Sequence, residues 1–398
     1  MLLLNRFISR AYGLSQSYLL FLRLSSTQDI PPSTFYHKDL IIKKSKYVTQ
    51  KPVFEGVFGT ITTDHMFEAD YNDKEGWSKP IISPFHNFSF NPLNSTFHYG
   101  LSAFEGAKAY YDINGKIRLF RFRENLKRMN RSSINLCMPT FDIEEGYKCI
   151  SDLIKLDKNW VPQMEDSALY IRPTIMSLTD ELGVHRADSV KFFCVLSPVL
   201  PYFKGISRLL NIKVISEGIR AWPKGYGYLK LSANYAPALK LQDEAHHEGY
   251  DQVLWLTEGK YISELGGMNI FFLIKDKVTG KLELTTPALD GTILIGITRD
   301  SILSLAPTVD KNIIVTERKI TLEEIKEAAR SQRLLEAFAC GTATIITEIG
   351  SFDYKGEKIR TMSTEETRKN NLTTKLLTKL KNIQYGKDSF EDWSEVIS

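Results

Sequence analysis

Two short stretches of the sequence have the clearest potential for chemistry, residues 227–235 (GYLKLSANY) and 262–269 (ISELGGMN). The first contains Lys230, and a lysine amine at a buried position near glycine can form a Schiff base with an aldehyde. The second contains Glu264, a carboxylate that can hold an aromatic ring nitrogen protonated so that the ring accepts electrons. A lysine taken alone is far more often a solvated surface charge, so this interpretation depends on the residues that accompany the pair.

Length and composition indicate a globular chain of about two domains. The 398 residues exceed what one ordinary core contains, and the chain is 43% hydrophobic and 25% charged. The formal net charge of +4 is too small to indicate a nucleic-acid-binding surface. These values predict a soluble protein with no nucleic-acid partner.

The cysteines do not form a metal-binding pattern. They show no Cys-x-x-Cys spacing and have no histidines at zinc-site distances. We therefore expect buried structural thiols and no metal at Cys137, Cys149, Cys194 and Cys340.

The first segment, residues 1–27, has the composition of a mitochondrial transit peptide. It combines Leu, Phe and Tyr with spaced arginines and serines, and the first acidic residue is Asp29. Arginines interrupt its apolar runs, which argues against a secretory signal. The alternative is an ordinary disordered or amphipathic N-terminus. No later apolar run reaches the length of a membrane span, so we expect no membrane association. The transit-peptide composition predicts a location in the mitochondrial matrix.

The rest of the sequence divides into a strand-rich N-terminal domain at 28–203, a linker at 204–209 and a C-terminal domain at 210–398. In the first domain, strands are predicted around 77–90, 108–122, 168–172 and 190–197, and helices from 123 to about 136 and from 143 to about 156. In the second, strands are predicted at 209–216, 252–256, 269–275 and 281–285, and a Thr-x-x-Glu capping box at Thr321 opens a helix. The pattern predicts a mixed α+β fold.

With these residues in view, the chain resembles the eukaryotic, mitochondrial type of branched-chain amino acid aminotransferase, a family of the fold-type IV pyridoxal-phosphate class. The resemblance implies a mixed α-β fold of two domains with the active site at their interface, pyridoxal 5′-phosphate as cofactor, and a homodimer. It runs from about residue 58 to 385. The matching segments, in one order along the chain, are 58–59, 63–66, 98–99, 104–106, 170–173, 234–235, 264–271 and 341–343.

The resemblance implies that Lys230 is the Schiff-base lysine and the catalytic residue that moves a proton between substrate and cofactor. Glu264 would pair with the pyridine nitrogen, and Tyr235 would donate to the phenolate oxygen. The phosphate would be bound by a guanidinium and by backbone amides at a helix N-terminus. Alternatives are an exposed strand-end carboxylate for Glu264, a structural tyrosine for Tyr235 and an exposed helix arginine for Arg128. The further cofactor-binding residues expected are Arg128, Ile297, Thr298 and Thr342.

The resemblance also implies a pocket that accepts both a branched aliphatic side chain and the side-chain carboxylate of glutamate. Tyr99 and Arg172 would meet that carboxylate, and an arginine held beside aromatic rings can serve both substrates. The backbone amides of Thr342 and Ala343 would bind the α-carboxylate. The other substrate-binding residues expected are Phe58, Phe104, Tyr170 and Tyr202 on an apolar wall, with Leu182 and Val184 supplied by the neighbouring subunit.

The sequence departs from the family pattern at several positions. Tyr228 stands where an acid is common, and Gly267 stands where a hydroxyl residue is common. Vertebrate relatives have a redox Cys-x-x-Cys after the Gly-Thr-Ala turn, whereas this chain has Thr344 and Thr347. Details of the pocket are therefore open.

The activity implied is the reversible, ping-pong transfer of the amino group of leucine, isoleucine or valine to 2-oxoglutarate. One alternative is another fold-type IV activity, a D-amino acid aminotransferase or an aminodeoxychorismate lyase. The long aromatic-rich N-terminal domain and Arg172 argue against both. A catalytically silent scaffold on the same fold is a further alternative, and the complete set of Lys230, Tyr235 and Glu264 argues against it.

Overall fold

The computed structural model describes residues 34–50, 58–200 and 209–397. Within these ranges the chain forms two β-sheets, one mainly from the residues up to 199 and one from residue 210 onward, with helices packed on both. The predicted transit peptide at 1–27 lies outside the described residues, as does all of the predicted linker except Leu209. None of the helices in the described ranges has the length and apolar character needed to cross a membrane.

The first sheet orders its strands so that the two longest lie side by side near its centre. The strands are β1 (Ile41–Ile42), β2 (His65–Asn72), β3 (Gly76–Trp77), β4 (Ile81–Pro84), β5 (Ser102–Phe104), β6 (Ala107–Tyr111), β7 (Ile117–Phe120), β8 (Ala168–Ser177) and β9 (Ser189–Val199). Their order is β1-β4-β2-β9-β8-β6-β7, with β3 beside β2 and β5 beside β8. β8 pairs with β9 along its whole length, and the period-2 alternation of a strand puts Tyr170 and Arg172 on one face.

The strand predicted at 77–90 is wrong in extent, because regular pairing ends at Pro84. Beyond it the aromatic side chains pack on one another instead of extending the sheet. The ring of Phe88 lies 5.6 Å from that of Phe90 and 5.2 Å from that of Phe193 on β9. The aromatic residues after Pro84 therefore form a side-chain cluster and not a strand.

Two amphipathic helices cover one face of the first sheet. Helices α2 (Phe122–Asn135) and α3 (Ile143–Leu156) follow a short α1 (Ser95–Tyr99), and the helices predicted from 123 and 143 are confirmed. α2 buries Leu126 and Met129, and α3 buries Ile150 and Leu153 against the sheet core. Asp142 caps α3 by accepting from the backbone N–H groups of its first turn.

The second sheet contains the strands that follow residue 209. They are β10 (Leu210–Ile215), β11 (Gln252–Thr257), β12 (Tyr261–Leu265), β13 (Asn269–Lys275), β14 (Leu282–Pro287), β15 (Ile313–Arg318), β16 (Leu334–Gly341), β17 (Ile345–Tyr354) and β18 (Glu357–Arg360). Their order is β12-β11-β10-β17-β16-β13-β14-β15, with β18 beside β17. The strands predicted at 209–216, 252–256, 269–275 and 281–285 are confirmed. A last strand, β19 (Ser394–Val396), returns to the first sheet and pairs with β7.

β13 is buried on both faces, as its unbroken apolar run requires. Phe271 and Leu273 face helices α5 (Ile297–Val309) and α7 (Leu372–Gln384), whereas Ile270 and Phe272 face α6 (Leu322–Arg330). The predicted capping box is present in part, since Thr321 accepts from the N–H of Glu324. A fourth helix of this half, α4 (Leu239–His247), packs on β11.

The segment that contains Lys230 connects the two sheets. Leu231 forms a β-bridge with Ala103 on β5, and the carbonyl of Lys230 accepts from the N–H of Phe104 at 3.2 Å. Two short 3₁₀ helices, Ser232–Asn234 and Ala236–Ala238, follow and lead into α4. The predicted site therefore lies where the two halves of the chain meet.

Candidate active site

Lys230 is held by backbone contacts and has its amine directed toward an aromatic corner. Its N–H donates to Oγ of Ser132 on α2 at 3.1 Å. Its Nζ donates to the hydroxyl of Tyr235 at 3.1 Å and lies 4.8 Å from the ring centre of Phe104. The rings of Phe104 and Tyr235 are themselves 5.1 Å apart. The amine of Lys230 and the phenol of Tyr235, which the resemblance assigns to the same cofactor, are thus neighbours.

Glu264 lies on β12 and is completely buried. One carboxylate oxygen accepts from the N–H of Leu294 at 3.2 Å and lies 3.5 Å from Nδ2 of Asn269. The other forms an ion pair with the guanidinium of Arg220. Burial raises the pKa of Glu264 to about 7, although Arg220, the Leu294 N–H and Lys230 oppose the shift. The alternative of an exposed strand-end carboxylate is wrong.

A tight turn explains why Glu264 has glycines after it. Leu265 and Met268 exchange backbone hydrogen bonds, and Gly266 between them has φ +57°, which favours glycine. At Gly267 a β-carbon would lie 3.6 Å from the Tyr235 ring, an ordinary contact distance. A β-carbon at Gly267 would therefore pack against Tyr235 without a clash.

Arg128 is buried on α2, and its fork is already held. It donates to both oxygens of Glu105 at 2.6 and 2.7 Å, and to the carbonyl of Ile295 at 2.8 Å. Burial opposes its charge, but Glu105 still raises the pKa of Arg128 above its ordinary value. The alternative of a solvent-exposed helix arginine is wrong. Its predicted contact with the phosphate stays a prediction.

Ile295 leads directly into the helix N-terminus that the sequence assigns to the phosphate. Gly296 is the N-cap of α5 and has no side-chain cap, so the first N–H groups of the helix, including those of Ile297 and Thr298, have no partner within the helix. A β-carbon on Gly296 would lie 2.0 Å from Oδ1 of Asn269, so only glycine permits this approach. The helix N-terminus is thereby packed against the residues around Glu264.

The turn between β16 and β17 is attached to the first sheet. The hydroxyl of Thr342 donates to the carbonyl of Gly106 at 3.1 Å, and Nζ of Lys108 donates to the carbonyl of Ala343 at 2.7 Å. Thr342 lines the same small cavity as Ile297 and Thr298. A helix N-terminus and a turn predicted to bind anionic groups thus border one space.

Arg172 lies across two aromatic faces on the other side of the amine. Its guanidinium carbon is 4.7 Å from the ring centre of Phe104 and 5.1 Å from that of Tyr170, whose hydroxyl accepts from Nη2 at 3.0 Å. Phe58 contacts Tyr170 at 5.0 Å. The Nε of Arg172 is buried and has no hydrogen-bond partner in the described part of the chain. A donor is therefore available beside the aromatic wall.

Three predicted substrate residues lie apart from this group. Leu182 and Val184 are 55% and 79% exposed, and the hydroxyl of Tyr99 donates to the carbonyl of Leu182. Their exposure is what a contribution to a neighbouring subunit needs, and that role stays a prediction. Tyr202 lies outside the described residues.

Four residues that the sequence interpretation missed complete the site. Glu105 holds Arg128, Asn269 and Arg220 approach Glu264, and Lys108 holds the turn at Ala343. Burial lowers the pKa of Lys108 to about 8, against the field of Asp166. The position of Lys108 within the apolar strand 107–111 is a sequence feature that could have identified it as a candidate site residue. Arg220 gave no comparable signal, because its partner Glu264 is distant in sequence.

The arrangement fits pyridoxal phosphate as a set of donors and acceptors. An amine, a phenol, a buried carboxylate and an uncapped helix N-terminus correspond to the aldehyde, the phenolate oxygen, the ring nitrogen and the phosphate. The aromatic rings of Phe104 and Tyr235 offer apolar surfaces next to the amine of Lys230. A larger groove, with ≈ 990 Å³ of empty volume at the β10 and β18 edge, contains none of the predicted site residues.

Comparisons with known proteins show which family the chain resembles. The family model described as "Amino-transferase class IV" matches residues 102–352. The chain is 42% identical over 351 residues to the cytosolic branched-chain-amino-acid aminotransferase of Saccharomyces cerevisiae, covering 87% of this chain and 93% of the relative. It is 40% identical over 351 residues to the mitochondrial one of the same yeast, covering 87% and 89%. The crystal structure of the Escherichia coli branched-chain amino acid aminotransferase superposes with a TM-score of 0.66 at 25% identity, covering 84% of this chain and 99% of that one.

Proposed function

The chain belongs to the class IV amino-transferases, and from that premise we propose how its residues carry out the transfer of an amino group. It is a pyridoxal-phosphate-dependent transaminase of the branched-chain amino acid type. The amino group of leucine, isoleucine or valine passes to 2-oxoglutarate in two half-reactions, which give the branched 2-oxo acid and glutamate. Both half-reactions use one pocket.

The observation that supports this assignment best is the position of Arg172. Its guanidinium lies beside the rings of Phe104 and Tyr170. Nζ of Lys230 also lies near the Phe104 ring, next to Tyr235. An aliphatic side chain would contact the rings, whereas a distal carboxylate would meet the free Nε of the arginine. One surface thus suits leucine and glutamate in turn.

When bound, pyridoxal phosphate supplies an aldehyde that takes up the amino group and a ring that accepts electrons from the substrate α-carbon. Lys230 would be the base that removes the proton from the α-carbon and returns it to the former aldehyde carbon of the cofactor, on the other side of the amino nitrogen. Its amine donates a hydrogen bond to Tyr235. The buried carboxylate of Glu264 would accept a hydrogen bond from the protonated ring nitrogen. The aromatic residues around Lys230 exclude water during the proton transfer.

Anionic groups of cofactor and substrate would be bound at the two backbone sites. The first N–H groups of α5, from Ile297 and Thr298, hold the phosphate, with Arg128 close by through its bond to Ile295. The turn at Thr342 and Ala343 holds the α-carboxylate, because its carbonyl is tied back by Lys108 and its amides are left to face the substrate. The charge of Lys108 further favours an anion there.

We also propose that two chains complete the site and that the enzyme acts in mitochondria. The exposed Leu182 and Val184 would enter the partner's pocket as apolar groups, and exposed apolar side chains of this size favour a protein contact. The composition of residues 1–27 supports the location, and the yeast relatives named above include one mitochondrial and one cytosolic protein. A fluorescent fusion of the full chain, compared with one that lacks residues 1–27, tests the address: loss of mitochondrial signal is expected only in the shortened form.

A single-turnover experiment tests the activity itself. The purified full chain, loaded with pyridoxal phosphate, is mixed separately with L-leucine, L-glutamate and D-alanine, and the visible absorbance of the bound cofactor is followed. Both L-amino acids should convert it, and D-alanine should not. Conversion by D-alanine alone would identify a D-amino acid aminotransferase, and no conversion by any of the three would identify a silent scaffold.

A further inference from the structure

The loop after β10 places a charged residue inside the protein and apolar residues outside. The side chain of Arg220 is 3% exposed, whereas the flanking Ile219 and Trp222 are each 56% exposed. Burial of a guanidinium costs several kcal/mol unless a partner compensates it, so a loop does not adopt this arrangement by default. The partner that compensates Arg220 is Glu264.

The two oxygens of Glu264 have different neighbours. One faces the N–H of Leu294 and the amide of Asn269, on the side of the turn that leads into α5. The other faces Arg220. The carboxylate therefore contacts groups from three separate segments of the chain, and its contact with Arg220 is an ion pair and not a hydrogen bond.

The other titratable groups near Glu264 do not replace Arg220. Lys230 and Arg299 act on it through their fields, and the thiol of Cys340 is close. Arg299, however, donates to Glu317 at 2.6 Å and to the carbonyl of Pro287 at 2.9 Å, and Nζ of Lys230 donates to Tyr235. Within the described ranges, Arg220 is the cation that makes an ion pair with Glu264.

We propose that Arg220 is a positioning residue that keeps the buried Glu264 ionised and aimed, so that the ring nitrogen of the cofactor meets a carboxylate and not a carboxylic acid. This proposal rests on the function proposed above. A neutral acid would offer its own proton to the nitrogen and would leave the ring a poorer electron acceptor. Arg220 therefore acts on the chemistry through Glu264, without contact with the reacting atoms.

The titration of Glu264 supports this role. Burial already raises its pKa to about 7 with Arg220 present, and the guanidinium is the first of the groups that oppose the shift. Without that charge the carboxyl would hold its proton at and above neutral pH. A variant that lacks Arg220 should accordingly differ most from the unmodified chain between pH 7 and 9.

The first experiment measures unfolding of the cofactor-free full chain by denaturant at several pH values. Because the folded-state pKa of Glu264 lies above its ordinary value of 4.5, the folded chain binds more protons between the two values, and stability falls as pH rises from 4.5 to about 7. In Arg220→Met the fall should continue above pH 7, with the unfolding constant rising up to about tenfold per pH unit. Adding Glu264→Gln to Arg220→Met should remove this extra dependence.

A second pair of variants separates charge from shape and covers the case in which Arg220→Met does not fold. Arg220→Lys keeps a cation and should restore most of the unmodified pH dependence. Arg318→Met removes an arginine paired with Glu283 and Glu324 at the far edge of the sheet. It should show the unmodified dependence above about pH 5 and differ only at lower pH, where Glu283 loses the partner that lowers its pKa. An Arg220→Lys variant with the same pH dependence as Arg220→Met, or an Arg220→Met variant with the unmodified profile, overturns the proposal.

The loaded protein gives a spectroscopic check. The pH at which the visible band of bound pyridoxal phosphate changes should shift in Arg220→Met and return toward the unmodified value in Arg220→Lys. A band whose titration is identical in all variants would contradict the proposal. If the unmodified chain binds the cofactor but converts neither leucine nor glutamate, the proposed function fails, and the unfolding experiment still decides the role of Arg220 on Glu264.

Discussion

Two buried arginine–glutamate pairs border the site, and they differ in the number of hydrogen bonds that each carboxylate accepts. Glu105 accepts two hydrogen bonds from Arg128 at 2.6 and 2.7 Å and a third from Asn125 at 2.9 Å. The remaining contact of Arg128 goes to the carbonyl of Ile295. Hydrogen bonds within the protein therefore offset the cost of burying both charges of this pair.

The pair on the second sheet is less complete. Glu264 has one backbone donor at 3.2 Å, an amide at the limit of 3.5 Å, and Arg220. Burial shifts its pKa to about 7, which shows that these partners do not fully offset desolvation. The comparison indicates that the pair of Arg128 and Glu105 has a structural role. Glu264 can still accept a hydrogen bond from one more cationic donor, which the ring nitrogen would supply.

The largest effect is expected at Lys230, which lies between the two pairs. Lys230→Ala should abolish transamination, because no other described side chain is placed to supply both the covalent attachment and the proton transfer. The fold should persist, since neither pair loses a partner. Turnover with leucine and thermal unfolding measure the two effects. Lys240→Ala, at an exposed lysine, serves as the control, and near-normal turnover of Lys230→Ala would end the assignment.

Exchanging the two glutamates for glutamine tests the comparison directly. Glu105→Gln should lower the free energy of unfolding by about 3–5 kcal/mol, because it leaves the guanidinium of Arg128 buried without a countercharge. Glu264→Gln should reduce turnover by on the order of 10², as expected when a ring nitrogen loses its charged partner, with a smaller effect on stability. Denaturant unfolding and steady-state rates, measured on both variants, would contradict the comparison if the two effects were interchanged.

Arg172 belongs to neither pair, and its variant should separate the two substrates. Arg172→Met keeps apolar length but removes the fork, so the glutamate half-reaction should weaken by roughly 2–5 kcal/mol. The leucine half-reaction should change much less, because the rings of Phe104 and Tyr170 remain. Single-turnover rates with each amino acid measure this. Equal losses with both would show that Arg172 is structural.

Some of these features were predictable from sequence and others were not, for physical reasons. Helix α3 has a local apolar period and an Asp142 cap, so its predicted bounds match the structure. Strands β16 and β17 were not predicted, and neither was the return of β19 to the first sheet, because these depend on pairing between distant segments. Aromatic density at 85–90 was misleading, since side-chain packing and not backbone pairing accounts for it.

The site shows the same division. Lys230, Tyr235 and Glu264 lie in short motifs whose chemistry is visible in the residues themselves. The partners that set their electrostatics are distant in sequence: Arg220 is an arginine in a loop, and only the folded chain brings it to Glu264. Charge inside a loop is expected to face solvent, so burial is the information that the sequence lacks.

The smallest effect is expected from mild peroxide, which should not switch activity off through a disulfide at the turn after β16. The prediction of buried thiols is wrong for Cys137, which is exposed, and is confirmed for the other three cysteines. Thr344 and Thr347 cannot form a disulfide, and Cys340 on β16 is buried with its pKa raised by burial, so it remains an unreactive thiol. Cys340→Ser should therefore respond as the unmodified chain does when turnover is measured before and after treatment. Inactivation that a thiol reverses, and that disappears in Cys340→Ser, would mean that this strand opens far enough to expose the sulfur. The turn at Thr342 and Ala343 would then be a mobile part of the second sheet, and the firm attachment inferred from Lys108 and Gly106 would be wrong.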